Sequence, residues 1–214
     1  MTGEKVTPIQ YLADGPEDSP VVFLFAHGAG GPMRTPFMAN VARGFAAHGI
    51  RVVRFEFPYM SERRRAPDRQ PVLLDTWRQA IADHGGGQRV AAGGKSLGGR
   101  MASMVADEMN VRGLVCFGYP FHPPGKPQRL RTAHLESLRT PALILQGTRD
   151  PFGTQDDVAG YTLSPSIQFE WLPDGDHSLK PRASSGTTER ENVARAVEAA
   201  AAFLKGRFPA NRHS

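Results

Sequence analysis

Short apolar runs alternate with stretches of helical periodicity along most of this chain, and that alternation is the strongest limit on its fold. Val21-Val22-Phe23-Leu24-Phe25 is apolar at every position, which suits a strand buried on both faces in a parallel sheet. A helix should follow. Thr35 can cap it, Pro36 suits its first turn, Phe37, Val41 and Phe45 share one face, and Gly49 stops it. Further strand-like segments occur at Val52, Val53 and Phe55, from Arg89 to Gly93, from Leu114 to Phe117, from Pro141 to Gln146 and from Ile167 to Leu172. Between them lie helical patterns carrying Leu74, Trp77 and Ile81, then Met101, Met104, Val105 and Met109. Thr188 and Glu191 fit a capping box that opens a last helix, with Val193, Val197, Ala200 and Leu204 toward the sheet. Strands alternating with helices predict a mainly parallel central sheet with helices on both faces. The length of 214 residues, without repeats or a visible boundary, predicts a single domain over residues 1–214.

Cys116 is the only cysteine, so no internal disulfide can form, and its place within an apolar run marks it as a core residue. The opening Met1-Thr2-Gly3-Glu4-Lys5 lacks the apolar segment of a secretory leader. No run approaches the roughly 18 apolar residues of a membrane span. These features lead us to expect a cytoplasmic protein with no membrane partner. The net charge of +5 is concentrated in arginine, including Arg63, Arg64, Arg65 and Arg69. That run is short, lacks interleaved aromatics and is flanked by proline, so it reads as a solvated loop and not as a nucleic-acid surface.

The chemistry is carried by Gly94-Lys95-Ser96-Leu97-Gly98, a G-x-S-x-G pentapeptide placed between an apolar strand and a helix. A serine on so sharp a strand-to-helix turn adopts a strained backbone, and its neighbours must be small for other elements to approach. The turn lifts Oγ out of the sheet and sets it at a helix N-terminus, where negative charge is favoured. Gly94-Lys95-Ser96 also resembles the end of a phosphate-binding loop. That motif needs a glycine where Arg89 stands, and strand-like residues leave no room for the cradle.

A serine hydroxyl needs a base, and the base needs an orienting group. On such a sheet they follow in the order serine, acid, histidine, each after a strand. Gly147-Thr148-Arg149-Asp150-Pro151 follows the fifth strand and Asp174-Gly175-Asp176-His177 the sixth, which nominates Asp150 and His177. Asp156 and Asp157 are alternative acids, whereas Asp174 and Asp176 come from the wrong strand end. His48, His84, His134 and His213 fit the base role less well. His27-Gly28-Ala29-Gly30-Gly31 is placed to supply an oxyanion loop, with the backbone amides of Ala29 and Leu97 as donors. We expect His27, Gly28, Gly30, Lys95, Tyr119 and His122 to border the substrate. Lys95, Arg100, His122 and Lys126 could face an acidic group on it.

Phe25-Ala26-His27-Gly28-Ala29-Gly30, Gly94 to Arg100, Tyr119 to Lys126, Gln146 to Gly153 and Asp174 to Leu179 together resemble the α/β-hydrolase superfamily. They are similar in particular to a small bacterial family whose eukaryotic relatives include testis-expressed protein 30 and a regulatory subunit of a histone acetyltransferase complex. The resemblance covers nearly the whole chain. It implies an α/β-hydrolase fold and serine hydrolase chemistry through an acyl-enzyme on Ser96. Dienelactone hydrolases are of similar size but carry cysteine at the elbow, where this chain has Ser96. Lys95 beside the nucleophile is unlike lipases, and without a large insertion after the fourth strand the lid is minimal, Gly118 to Lys126 forming a short rim. The expected substrate is a small ester, with thioester or amide behind it, and no metal or organic cofactor is required. The other reading is a non-catalytic binding or regulatory protein that keeps the fold.

Overall fold

The computed structural model describes residues 8–208. A seven-stranded sheet runs in the order β1-β3-β2-β4-β5-β6-β7. Its strands are β1 (Tyr11–Asp14), β2 (Val22–Ala26), β3 (Arg51–Phe55), β4 (Val90–Lys95), β5 (Leu114–Phe117), β6 (Ala142–Gly147) and β7 (Ile167–Leu172). All pairings are parallel except that of β1 with β3. The helices are α1 (Pro36–Ala47), α2 (Pro58–Ser61), α3 (Gln70–Asp83), α4 (Leu97–Val105), α5 (Gln155–Ala159) and α6 (Glu189–Arg207).

Strand alternation sorts the core into two layers. Phe23 and Phe25 of β2 pack with Met38, Val41 and Phe45 of α1 and with Val197, Ala200 and Leu204 of α6. Leu24 and Ala26 face the other way, toward Trp77 and Ile81 of α3 and Met101 and Val105 of α4. Each central strand is thus covered on both sides, which is why its sequence shows no polar alternation.

The expected caps form. The Thr35 side chain accepts the Met38 amide at the start of α1, with Pro36 behind it, and Thr188 and Glu191 close a capping box on α6. Several boundaries differ from expectation. β4 extends through Lys95, two residues past Gly93. Helix α4 ends at Val105 and does not carry Met109; residues 106–110 turn until Asn110 at φ 53°. Leu73, not Leu74, joins Trp77 and Ile81 in the buried face of α3. Val193 is only partly buried, because it belongs to the solvated opening turns of α6.

Strand β1 has no counterpart in the sequence reading. Its residues are short, mixed in polarity and mostly half-buried, as befits an edge. It is held by Arg54 on β3, a buried guanidinium 2.7 Å from Asp14 Oδ2 that also donates to the Met33 carbonyl. Between β5 and β6 the chain forms irregular loop and a single 3₁₀ turn, Ala133–Leu135, so no helical lid is inserted. Of the arginine-rich run, Arg64 pairs with Glu62 and Asp68, while Arg63, Arg65 and Arg69 are exposed. Among the described residues no helix is long and apolar enough to cross a membrane.

Candidate active site

Parallel strands bring the loops after β4, β6 and β7 to one edge of the sheet, the edge at which such folds bind ligands. At the end of β4 the chain turns into α4 with Ser96 at φ 49°, ψ −111°. A left-handed φ at a non-glycine residue stores strain, so the surroundings must hold it in place. They do so by close approach. A Cβ on Gly94 would lie 2.5 Å from the Ala26 carbonyl oxygen, and one on Gly98 would meet the same oxygen at 2.5 Å. The turn therefore packs directly on the backbone of β2, and the Trp77 indole N–H donates to the Gly98 carbonyl (3.2 Å) from the other side.

Ser96 Oγ lies 2.8 Å from His177 Nε2, and His177 Nδ1 lies 2.8 Å from Asp150 Oδ2. Asp150 and Ser96 are 27 and 81 positions from His177 in sequence, yet the three side chains form one hydrogen-bonded chain. The acid loop is stitched to the base loop. The Thr148 amide donates to the Leu172 carbonyl (3.1 Å), and the Arg149 amide to that of Gly175 (3.0 Å). Asp150 is fully buried. Its Oδ2 also accepts from Gln146 Nε2 (2.9 Å), and its Oδ1 accepts from the Phe152 amide (2.9 Å). The carboxylate thus has donors on both oxygens, as a buried charge requires. The Phe152 ring stacks on the imidazole at 4.1 Å. Burial lowers the His177 pKa below its ordinary value, with Asp150 opposing that effect and Lys95 adding to it. That balance favours the neutral ring, whose Nε2 carries a lone pair toward Ser96.

A cavity of about 410 Å³ opens on this chain, and Gly28, Ala29, Gly30, Phe37, Lys95 and Phe152 form much of its wall. Among the described residues, neither the Ala29 nor the Leu97 amide has a hydrogen-bond acceptor. The Tyr59 hydroxyl donates to the Ala29 carbonyl (3.1 Å) and so shapes that loop from below. A larger groove of about 740 Å³ between α1 and α6 contains none of the three residues and shares only Phe37 with the cavity.

Three of the expected border residues are not brought to the cavity. His27 is fully buried, its Nδ1 2.7 Å from the Gly28 carbonyl and its Nε2 accepting the Phe57 amide (3.2 Å), so both ring nitrogens are committed to the loop. Tyr119 is fully buried, with its hydroxyl near Ser103 and His134 beneath α4. His122 is buried, with Nδ1 3.0 Å from the Pro123 carbonyl and Nε2 3.7 Å from Asp157. Gly28, Gly30 and Lys95 do line the cavity. The Lys95 ammonium donates to the carbonyl of His177 itself.

The alternative acids lie elsewhere. Asp157 caps α5 in a capping box with Thr154, and exposed Asp156 sits in the same first turn. Asp176 holds the base loop by accepting the Ser178 and Lys180 amides, and Asp174 pairs with Arg149 and Arg182. Arg100 does not line the cavity, nor does Lys126, which is exposed. His213 lies outside the described residues. Gln146, Phe152 and Tyr59 were not singled out from the sequence. Gln146 carried a readable signal, an amide closing an otherwise apolar buried strand. Burial raises the pKa of the Cys116 thiol, which packs under α4 away from the cavity. Among the described residues no group of three or more His, Cys, Asp or Glu is arranged to hold a metal ion.

The architecture has close counterparts among solved structures. An α-β serine hydrolase homologue from Coxiella burnetii superposes with a TM-score of 0.70 at 17% identity, covering 92% of this chain and 91% of that one. A lidless α/β serine hydrolase from Xanthomonas campestris gives 0.68 at 21% identity, covering 95% and 89%. A dienelactone hydrolase from Anabaena variabilis gives 0.69 at 19% identity, covering 96% and 94%. Residues 19–205 match the model of a family described as an alpha/beta hydrolase domain. With that match spanning most of the chain, and a parallel sheet carrying a serine elbow at its edge, the protein belongs to the alpha/beta hydrolase domain family.

Proposed function

We propose that the protein is a serine hydrolase that cleaves a small ester through an acyl-enzyme on Ser96. The observation that carries this reading is the chain of two 2.8 Å contacts joining Ser96 and His177, which line the cavity, to Asp150 buried behind them. His177 Nε2 takes the Ser96 proton as Oγ attacks the substrate carbonyl, and Asp150 holds Nδ1–H so that the lone pair faces the serine. The Ala29 and Leu97 amides, both without acceptors among the described residues, receive the developing oxyanion. A donor in that role is worth about 3 kcal/mol of barrier. His177 then protonates the leaving group, and water repeats the sequence in reverse to release the acid.

The cavity volume of about 410 Å³ and the absence of an inserted lid support a compact acyl substrate reached directly from solvent. An ester is favoured over an amide because its alkoxide departs with less help from the acid. Thioesters come next. In this reading the partner is a small acyl molecule, and neither nucleic acid nor a membrane takes part. The Xanthomonas neighbour is described as a serine hydrolase and the Coxiella one as a serine hydrolase homologue, which accords with the proposal.

A fluorophosphonate probe tests it. The wild-type chain should be labelled at Ser96, and neither Ser96→Ala nor His177→Ala should be labelled at a comparable rate. A folded wild-type protein that resists the probe and leaves p-nitrophenyl acetate intact would instead point to a binding or regulatory protein.

A further inference from the structure

Alternation along β4 places Ala91, Gly93 and Lys95 on the face that α1 and α6 cover. A lysine is an unexpected occupant of that row. Its side chain threads between two glycines to reach the base. A Cβ on Gly28 would lie 3.4 Å from Lys95 Cγ, and one on Gly118, at φ +64°, would lie 2.8 Å from Nζ. The ammonium donates to the His177 carbonyl and stands 5.6 Å from the centroid of the Phe37 ring on α1. Among the described residues no carboxylate lies within ion-pairing distance of it. The charged groups that act on it are Asp150 and Asp176, both through space. Burial draws its pKa down to about 8. A partly desolvated cation without a paired anion is costly, and an apolar side chain could fill the same space.

The cost has a counterpart at His177. The point 2.8 Å from Nζ at Gly118 is also 3.3 Å from His177 Nδ1, so the two nitrogens are no more than about 6 Å apart. At that distance a like charge acts strongly on a partly desolvated imidazole. Asp150 alone would favour the imidazolium, which cannot accept the serine proton. We propose that Lys95 is a positioning residue for the base: its ammonium anchors the backbone of His177, and its charge offsets Asp150 so that the imidazole stays neutral and receptive. This inference rests on the reading of Ser96, His177 and Asp150 as the reacting chain.

The test is the protonation midpoint of His177, followed by NMR of histidine-labelled full-length protein in wild type, Lys95→Gln, Lys95→Met and Lys95→Arg. Gln retains a donor for the carbonyl without the charge, Met removes both, and Arg keeps the charge. The midpoint should rise by about one pH unit in the Gln and Met variants and return toward the wild-type value in Arg. In kcat/KM, Lys95→Gln should then fall below wild type as the pH drops through the two midpoints, the deficit approaching about tenfold only below the wild-type midpoint and vanishing toward pH 8. An unchanged midpoint in a folded Gln or Met variant overturns the proposal. Should neither fold, wild type decides. The His177 ring shifts must show a second inflection near pH 8, where Lys95 loses its charge, and a flat trace there overturns it too. The NMR readout needs no turnover. A raised midpoint in a protein that the fluorophosphonate leaves unlabelled would uphold the Lys95–His177 coupling and remove the hydrolase reading. An unchanged midpoint in a labelled protein would do the reverse.

Discussion

Replacing Asp150 by asparagine changes one charge and almost no volume, and the hydrogen bonds around it fix the consequence. The carboxylate receives three donors: His177 Nδ1 and Gln146 Nε2 on Oδ2, and the Phe152 amide on Oδ1. An asparagine can accept on one side only. If its oxygen faces His177, its NH₂ faces the Phe152 amide, and a buried donor is left without an acceptor at about 1–3 kcal/mol. If it turns over, Phe152 is satisfied and Gln146 still has the Tyr119 and Gly153 carbonyls, at 3.2 and 3.1 Å. The imidazole must then accept at Nδ1, which puts its proton on Nε2, pointing at Ser96. The fold thus favours the tautomer that cannot act as base, and the productive fraction falls to between about one in six and one in 160. Loss of the carboxylate also removes its stabilisation of the imidazolium in the transition state. Together these should lower kcat about 10⁴-fold, the scale seen for this exchange in serine–histidine–aspartate enzymes. The assay is p-nitrophenyl acetate hydrolysis at about pH 8, with circular dichroism to show that the variant is folded. Activity within tenfold of wild type in a folded Asp150→Asn protein would refute the assignment.

Three other outcomes are expected. Gly98→Ala drives a methyl group to 2.5 Å from the Ala26 carbonyl oxygen and 2.7 Å from that of His27, so it should lower stability by about 2–3 kcal/mol in urea unfolding; a neutral effect would mean that α4 sits less tightly on β2. Burial and nearby Arg100 pull the His134 pKa down to about 4. Between pH 6.5 and that value the unfolded chain binds a proton that the folded one refuses, so stability is lost as pH falls. After discounting for partial exposure the loss is about 1–2 kcal/mol at pH 4, and His134→Gln should flatten the pH dependence of urea unfolding by that amount. Cys116, fully desolvated, should resist a disulfide reagent such as DTNB in the native protein and react fully in guanidinium; rapid native labelling would show that α4 opens readily.

The turn that carries Ser96 is legible in one dimension because it is a local demand. A strand must turn sharply into a helix at a residue with φ 49°, and only small neighbours permit it, so Gly94 and Gly98 announce the turn. Parallel topology does the rest for Asp150 and His177. Loops that follow successive parallel strands necessarily gather at one edge, so chain order alone nominates them. The core was legible for the same reason, since strands buried on both faces show as unbroken apolar runs. Edge strand β1 was not, because half-burial leaves only a faint pattern in four residues.

Side-chain direction was a different matter. His27, Tyr119 and His122 all neighbour the site in sequence, yet each points into packing, because rotation about a strand or turn is set by what the opposite face must bury. Lys95 borders the cavity as expected, but its contact does not follow from the sequence: only the register of β4, with the gaps at Gly28 and Gly118, brings its ammonium to the carbonyl of His177. The amino-acid order by itself determined the fold class, the elbow and the nomination of Ser96, Asp150 and His177 as candidate site residues, since each follows from local geometry or from strand sequence. Which neighbours border the cavity, which groups hold Asp150 and where the Lys95 ammonium goes were decided only in three dimensions, because they depend on contacts between segments far apart in the chain.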